Sequence, residues 1–174
     1  MLRPCPNLLK SIICAIQKIE MKFQDVDELN LKLKSEIRRL WNQEYPANIY
    51  HPTQKETDDY LIKLIDPRHT FVFGKEGEVV AWFVDFDRGG KRFFAMIVDE
   101  CYQGQGIGSK LLELGMSRNA ELNGWIVSDG EYKTKAGKPY ASPRNFYRKN
   151  NFDFHIEIKS ETHILKTHLI SRRN

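Results

Sequence analysis

Six residues, Gln103-Gly104-Gln105-Gly106-Ile107-Gly108, have the composition of an anion cradle. Glycine lets backbone N–H groups approach a ligand with no side chain in the way. Downstream, Ile107, Leu111 and Leu114 recur at i, i+4 and i+7, the buried stripe of an amphipathic helix. Upstream, Phe93-Phe94-Ala95-Met96-Ile97-Val98 is an unbroken apolar run, which predicts a strand covered on both faces. A glycine turn between such a strand and a helix N-terminus presents unpaired amides at the positive end of the helix dipole. Phosphate groups bind at such places, so the turn predicts a phosphate-bearing ligand.

The spacing sorts the ligands. A P-loop needs G-x-x-x-x-G-K-[ST], but here Gly108 is followed by Ser109 and then Lys110. A dinucleotide loop needs G-x-G-x-x-G, and Ser109 stands where the third glycine belongs. Asp129 lies roughly where that motif places its ribose-binding acid, so the dinucleotide reading is weakened and not excluded. A third pattern, Q/R-x-x-G-x-G/A after a strand, is filled without a gap by Gln103, Gly106 and Gly108. In this loop the chain resembles the GNAT superfamily of acyl-CoA-dependent N-acetyltransferases.

A second segment carries the same resemblance. Phe146-Tyr147-Arg148-Lys149-Asn150-Asn151-Phe152 is similar to the family's late motif of an aromatic residue, Tyr, polar residues, Gly and Phe. Asn151 replaces the usual Gly, and Asn tolerates the left-handed conformation that ends a helix. Ser142-Pro143 fits an N-cap followed by proline at the first helical position. The resemblance spans roughly residues 22–170, and these two segments are its specific part.

The resemblance implies acetyl-CoA as cosubstrate, with no metal. Its pyrophosphate would lie on Gln103, Gly104, Gln105, Gly106, Ile107, Gly108 and Ser109, and its pantetheine arm along the strand backbone around Ile97 and Val98. An acceptor amine would attack the thioester directly, with Tyr147 as general acid toward the departing thiolate. The base departs from the family pattern, because the strand before the loop offers no carboxylate ahead of Asp99. Asp85 and Asp129 are the candidates, with Asp87 and Glu131 beside them. The missing carboxylate also keeps open a non-catalytic acyl-CoA-binding sensor or interaction domain on the same fold. The acceptor would be a small-molecule amine or a peptide, and Trp41, Tyr45, Tyr50 and Trp82 are aromatic candidates for its pocket. The protein would act as a monomer or homodimer.

These residues need elements to hold them. A short strand near 19–23 is followed by apolar residues at helical spacing from Val26 to Trp41, ending before Pro46. A second helix is expected over 57–65. Strands follow over 70–74, 79–86 and 93–98, then a helix over 107–122 stopped by Asn123-Gly124, and a strand over 125–127. A late helix over 142–150 and a hairpin of 154–158 with 164–169 complete the chain. The order β-α-α-β-β-β-α-β-α-β-β is α/β. It also matches the GNAT order, which implies a mixed, mainly antiparallel sheet, splayed at strands four and five and flanked by about four helices.

Composition narrows the class. At 174 residues and 41% hydrophobic the chain suits one domain, read as 21–174, behind an N-terminal extension of residues 1–20. No apolar run approaches the ~20 residues of a membrane span, and Lys10 interrupts the apolar N-terminus with no cleavage site after it. Three cysteines without paired spacing point to a reducing, cytoplasmic setting, and Cys101 reads as structural. The five histidines show no metal-ligand spacing. Residues 131–174 hold 10 basic and 4 acidic side chains, a charge excess that reads as a solvated face or an attractor of anions. No nucleic-acid or membrane-binding signature accompanies it.

Overall fold

The computed structural model describes residues 21–127, 132–161 and 165–174. The chain builds a seven-stranded sheet in the order β1-β2-β3-β4-β5-β7-β6. The strands are β1 Lys22–Val26, β2 Ile65–Phe73, β3 Val79–Arg88, β4 Lys91–Val98, β5 Glu121–Val127, β6 Asp153–Glu161 and β7 Lys166–Arg173. Four helices flank it: α1 Leu31–Glu44, α2 Gln54–Leu61, α3 Ile107–Arg118 and α4 Arg144–Lys149. Short 3₁₀ turns at Ala47–Ile49 and Glu100–Tyr102 follow α1 and β4. The element order is the expected one, and the sheet is mixed: every neighbouring pair is antiparallel except β4 and β5.

The element boundaries moved where local capping chemistry outweighs apolar spacing. Val26 does not open a helix but ends β1, paired with His69; α1 starts after Asn30, whose side chain accepts from Leu33 N–H at 2.9 Å. Helix α2 starts three residues before the expected Thr57, because Thr53 and Glu56 form a reciprocal capping box. Ile65 belongs to β2 rather than to that helix. Helix α3 stops at Arg118, since Asn119 leaves helical geometry and turns its side chain back to the Gly115 carbonyl at 2.8 Å. Asn123-Gly124 is therefore no helix stop but mid-strand in β5, where Phe94 lies 2.8 Å from the site a Cβ on Gly124 would take. Ser142 caps no helix; its hydroxyl donates to the Val127 carbonyl and ties the incoming loop to the end of β5. Asn151 does adopt φ +60°, as expected of the residue in the glycine position.

Alternation along the central strands gives each face of the sheet its own core. Val80, Phe83 and Phe94 meet Ile107, Leu111 and Met116 of α3, with Tyr147 and Phe152. On the other face Phe71, Trp82, Val84 and Phe86 meet Ile37, Leu40 and Trp41 of α1. A fully buried Leu or Phe of this kind contributes about 1.5–3 kcal/mol. Burial on both faces is what the apolar run in β4 anticipated.

Candidate active site

Strands β4 and β5 touch at one registered pair, Phe93 with Asn123. Past that pair they part, and a cleft of about 930 Å³ opens between them. Its walls are the Ala95–Val98 segment of β4, the glycine turn, Tyr147 of α4 and the end of α1. The volume is that of a small-molecule or cofactor site. The parted strand leaves main-chain groups facing the cleft. The Met96 carbonyl accepts from the Tyr45 hydroxyl at 3.4 Å, and the Val98 carbonyl accepts from the Gln103 side chain at 2.9 Å. Backbone direction alternates along a strand, so Met96 and Val98 offer backbone here while Ile97 contributes its side chain to the wall.

The glycine turn has the geometry of an anion cradle. Gly106 is the N-cap of α3 at φ +82°, with no side chain satisfying the amides that follow it. A Cβ at Gly104 or Gly106 would meet nothing within 4 Å, so the space over these amides is open. Gly108 serves the opposite purpose: a Cβ there would come within 2.8 Å of the Phe146 ring, so its absence lets α3 and α4 pack closely. Gln103 joins the turn to α1, donating to Glu44 at 3.2 Å as well as to Val98.

Tyr147 lies in the cleft wall with its ring packed among Phe94, Phe146 and Phe152. Burial pushes its phenol well above the usual value, and its hydroxyl has no hydrogen-bond partner among the described residues. Three further phenols line the cleft. Tyr45 is raised by burial, and Tyr60 and Tyr140 are each pushed up to about 12 by burial. All four therefore hold their protons at neutral pH.

The carboxylates were expected elsewhere. Asp85 is fully buried, but it is not among the residues that line the cleft. One of its oxygens takes Arg68 at 2.6 Å, Arg92 at 3.0 Å and Asn119 at 3.3 Å. It alternates with Val84 and Phe86, so it faces α3, at whose end it meets Asn119. Asp85 thus holds β2, β3, β4 and the end of α3 together and does not line the cleft where a base was expected. Asp87 accepts from the Gly90 amide in the β3–β4 hairpin. Asp129 and Glu131 lie outside the described residues.

Glu44, the last residue of α1, was missed. It is half-buried in the cleft wall and accepts from the Glu100 amide at 3.0 Å and from Gln103. Burial raises its carboxyl to about 7, with Asp99 and Glu100 adding to the shift and the Glu100 amide and Lys138 opposing it. The sequence signal was faint: the segment Trp41–Pro46 read as a helix end with mixed polar and aromatic groups suited to a pocket wall. Tyr45 and Trp41 do line the cleft, whereas Trp82 is core and Tyr50 carries Lys135 over its ring. Cys101 is half-buried in the 3₁₀ turn, its amide bound to Asp99, and it does not line the cleft. The basic residues of the C-terminal third are dispersed: Lys138 pairs with Glu100, and Arg144 and Arg148 lie over Phe154. Among the described residues no cluster of His, Cys, Asp or Glu could hold a metal ion, and no helix is long and apolar enough to cross a membrane.

Solved structures share this architecture at low identity. The chain is similar to an aminoglycoside 6'-N-acetyltransferase complexed with coenzyme A (12% identity, TM-score 0.64, 87% of this chain and 96% of that one). It is similar to the ribosomal-protein-S18-alanine N-acetyltransferase of Escherichia coli (13%, TM-score 0.59, 88% and 94%). It is also similar to the spermidine N-acetyltransferase of Vibrio cholerae in complex with coenzyme A and spermine (12%, TM-score 0.61, 88% and 95%). No curated protein matches its sequence. A family model for the acetyltransferase (GNAT) domain matches residues 66–153, from β2 through the glycine turn to the residue after Phe152. That match takes in just over half of the 174 residues and both segments that line the cleft, so the chain belongs to the GNAT family of acetyltransferases.

Proposed function

We propose that this protein transfers an acetyl group from acetyl-CoA to a primary amine, borne by a small molecule or a peptide, by direct attack of the amine. The observation that carries the reading is the continuity of one cleft. It runs from the uncapped amides of α3, past the Met96 and Val98 carbonyls, to Tyr147 and Glu44. The residues fit the cosubstrate. Gln103 to Ser109 would hold its pyrophosphate, and Met96, Ile97 and Val98 its pantetheine arm. Bound, acetyl-CoA supplies an activated carbonyl and a thiolate leaving group.

The chain's own residues handle the protons. Glu44 takes one from the incoming ammonium at a carboxylate oxygen and passes it to water at the cleft mouth. As the C–S bond breaks, the Tyr147 hydroxyl would donate a hydrogen bond to the departing thiolate, and the second proton shed by the amine nitrogen as the amide forms would end on that sulfur. A phenol held above its ordinary value of about 10 does not fully surrender its proton to a thiolate of roughly 8.5, so Tyr147 serves as a hydrogen-bond donor first. The backbone amides bordering the cleft and the buried and half-buried phenols would exclude water and position the acyl group. The non-catalytic reading rests on the carboxylate absent from β4, and the raised carboxyl of Glu44 in the cleft wall favours catalysis over it.

Free-thiol release from acetyl-CoA across an amine panel, with parallel calorimetric titration of acetyl-CoA, tests the proposal. Binding together with amine-dependent release is the expected result. Stabilisation by NAD or ATP but not by acetyl-CoA overturns it.

A further inference from the structure

The cleft continues beyond Glu44 and Tyr147 to a second arm on the α1–α2 side of the sheet. Trp41, Ile49, Tyr60, Phe86 and Phe93 line it. Arg88, the last residue of β3, stands in this apolar wall. Its guanidinium lies 5.2 Å from the centre of the Phe93 ring and 5.6 Å from that of Phe86. The other charged groups of the cleft are engaged: Lys138 pairs with Glu100 at 2.6 Å, and Glu44 accepts from Glu100 and Gln103. Among the described residues Arg88 has neither an ion pair nor a hydrogen bond. Exposed at the end of β3, it is a cation held over two rings with its donors unspent.

We propose that the acceptor is an amine that also carries a carboxylate, joined through an apolar body, and that Arg88 receives the carboxylate. The proposal rests on the acetyltransfer reading above and names the acceptor class for it. A guanidinium presents paired donors that match a carboxylate, and aromatic walls suit an apolar or aromatic body between the two charged ends. The spacing sets the length. Phe93, under Arg88, and Met96, at the reaction end, are three residues apart on β4, or roughly 10 Å at about 3.3 Å per residue. An α-amino acid is too short to reach both ends. Three extended peptide residues span about 10 Å, as does an ω-amino acid with an aromatic middle. A polyamine would bring a second cation against Arg88 and is disfavoured.

Three probes decide the matter: the tripeptide Gly-Phe-Phe with a free carboxylate, the same peptide as its C-terminal amide, and spermidine. With acetyl-CoA saturating, the free acid should show kcat/KM about tenfold or more above the amide, the size expected of one charge-assisted pair. The difference should lie in KM. Arg88→Ala should bring the acid down to the level of the amide, leave the amide unchanged, and leave acetyl-CoA binding and the melting temperature unchanged; Arg88→Lys should retain part of the preference. Equal turnover of acid and amide, preference for spermidine, or equal loss of both peptides in Arg88→Ala overturns the inference while leaving acetyltransfer standing. So does release with none of the three while acetyl-CoA still binds. Absence of both acetyl-CoA binding and release overturns the acetyltransfer reading itself.

Discussion

Replacing Glu44 with Gln removes the proposed base while keeping its shape and its acceptor oxygen for the Glu100 amide. The magnitude follows from the burial of the carboxyl. An ammonium of ordinary pKa, about 10.4, loses its proton to a carboxylate at the usual value only against about 6 pKa units, or about 8 kcal/mol. With Glu44 raised from 4.5 to about 7 the gap closes to about 3.4 units, or about 4.6 kcal/mol. The shift thus lowers the cost of proton removal by about 3 kcal/mol. A positioned base contributes on the order of 10²–10⁴ in rate. Glu44→Gln should therefore lower kcat by at least about a hundredfold at pH 7 and leave acetyl-CoA affinity within about twofold. The sign of the pH dependence is set by which form is active. Glu44 accepts a proton only when ionised, so wild-type kcat should climb through pH 7, about tenfold between pH 6 and pH 8. The variant should lack that inflection. Stopped-flow release of free thiol at saturating acetyl-CoA and amine, from pH 5.5 to 9, measures both. An unchanged inflection in Glu44→Gln, or a loss of acetyl-CoA affinity equal to the loss in kcat, would refute the assignment.

Tyr147→Phe should lower kcat tenfold or more while acetyl-CoA titrates as in wild type, because the ring packing against Phe94 and Phe152 survives and only the hydroxyl goes. Equal losses in both would point to packing alone. Gly106→Val should abolish acetyl-CoA binding in calorimetry, since a β-branched residue does not accept φ +82° and its side chain would enter the open space above the amides. Asp85→Ala should cost about 3–5 kcal/mol in urea denaturation, because Arg68 and Arg92 lose their shared buried partner. Stability should also fall on acidification through the range from 6.5 to about 4. Burial holds His69 neutral down to about 4, so the unfolded chain binds a proton there that the folded chain does not. His69→Gln should flatten that slope in melts at pH 7 and pH 5.

Element types were legible because they depend on periodicity that a linear chain displays. The apolar run of β4 and the i, i+4, i+7 stripe of α3 lead directly to two-sided burial and a helix on one face. Element ends were less legible because they depend on single hydrogen bonds. Asn30 to Leu33, Thr53 with Glu56, and Asn119 to Gly115 each decide where a helix begins or stops. Gly124 shows the limit of reading punctuation: a glycine that looks like a helix stop is a strand residue whose missing Cβ makes room for Phe94, a contact 30 residues away in the chain.

The site divides along the same line. The place of the glycine turn beside the cleft was readable, since it resides in contiguous backbone, and so was that of Tyr147, which follows within one short motif. A base has no such signature, because a carboxylate becomes one through its surroundings. Asp85 and Glu44 have the same functional group and both are withdrawn from water. Asp85 meets two guanidinium groups and is committed to the fold, whereas Glu44 meets one backbone amide, one side-chain amide and the repulsion of Asp99 and Glu100. Asp99 and Glu100 immediately follow β4, and Glu44 ends a helix more than fifty residues earlier. The strand that lacks a carboxylate of its own thus brings the two charges that raise one supplied from α1. The departure from the family pattern on β4 and the tuning of Glu44 are two sides of one arrangement.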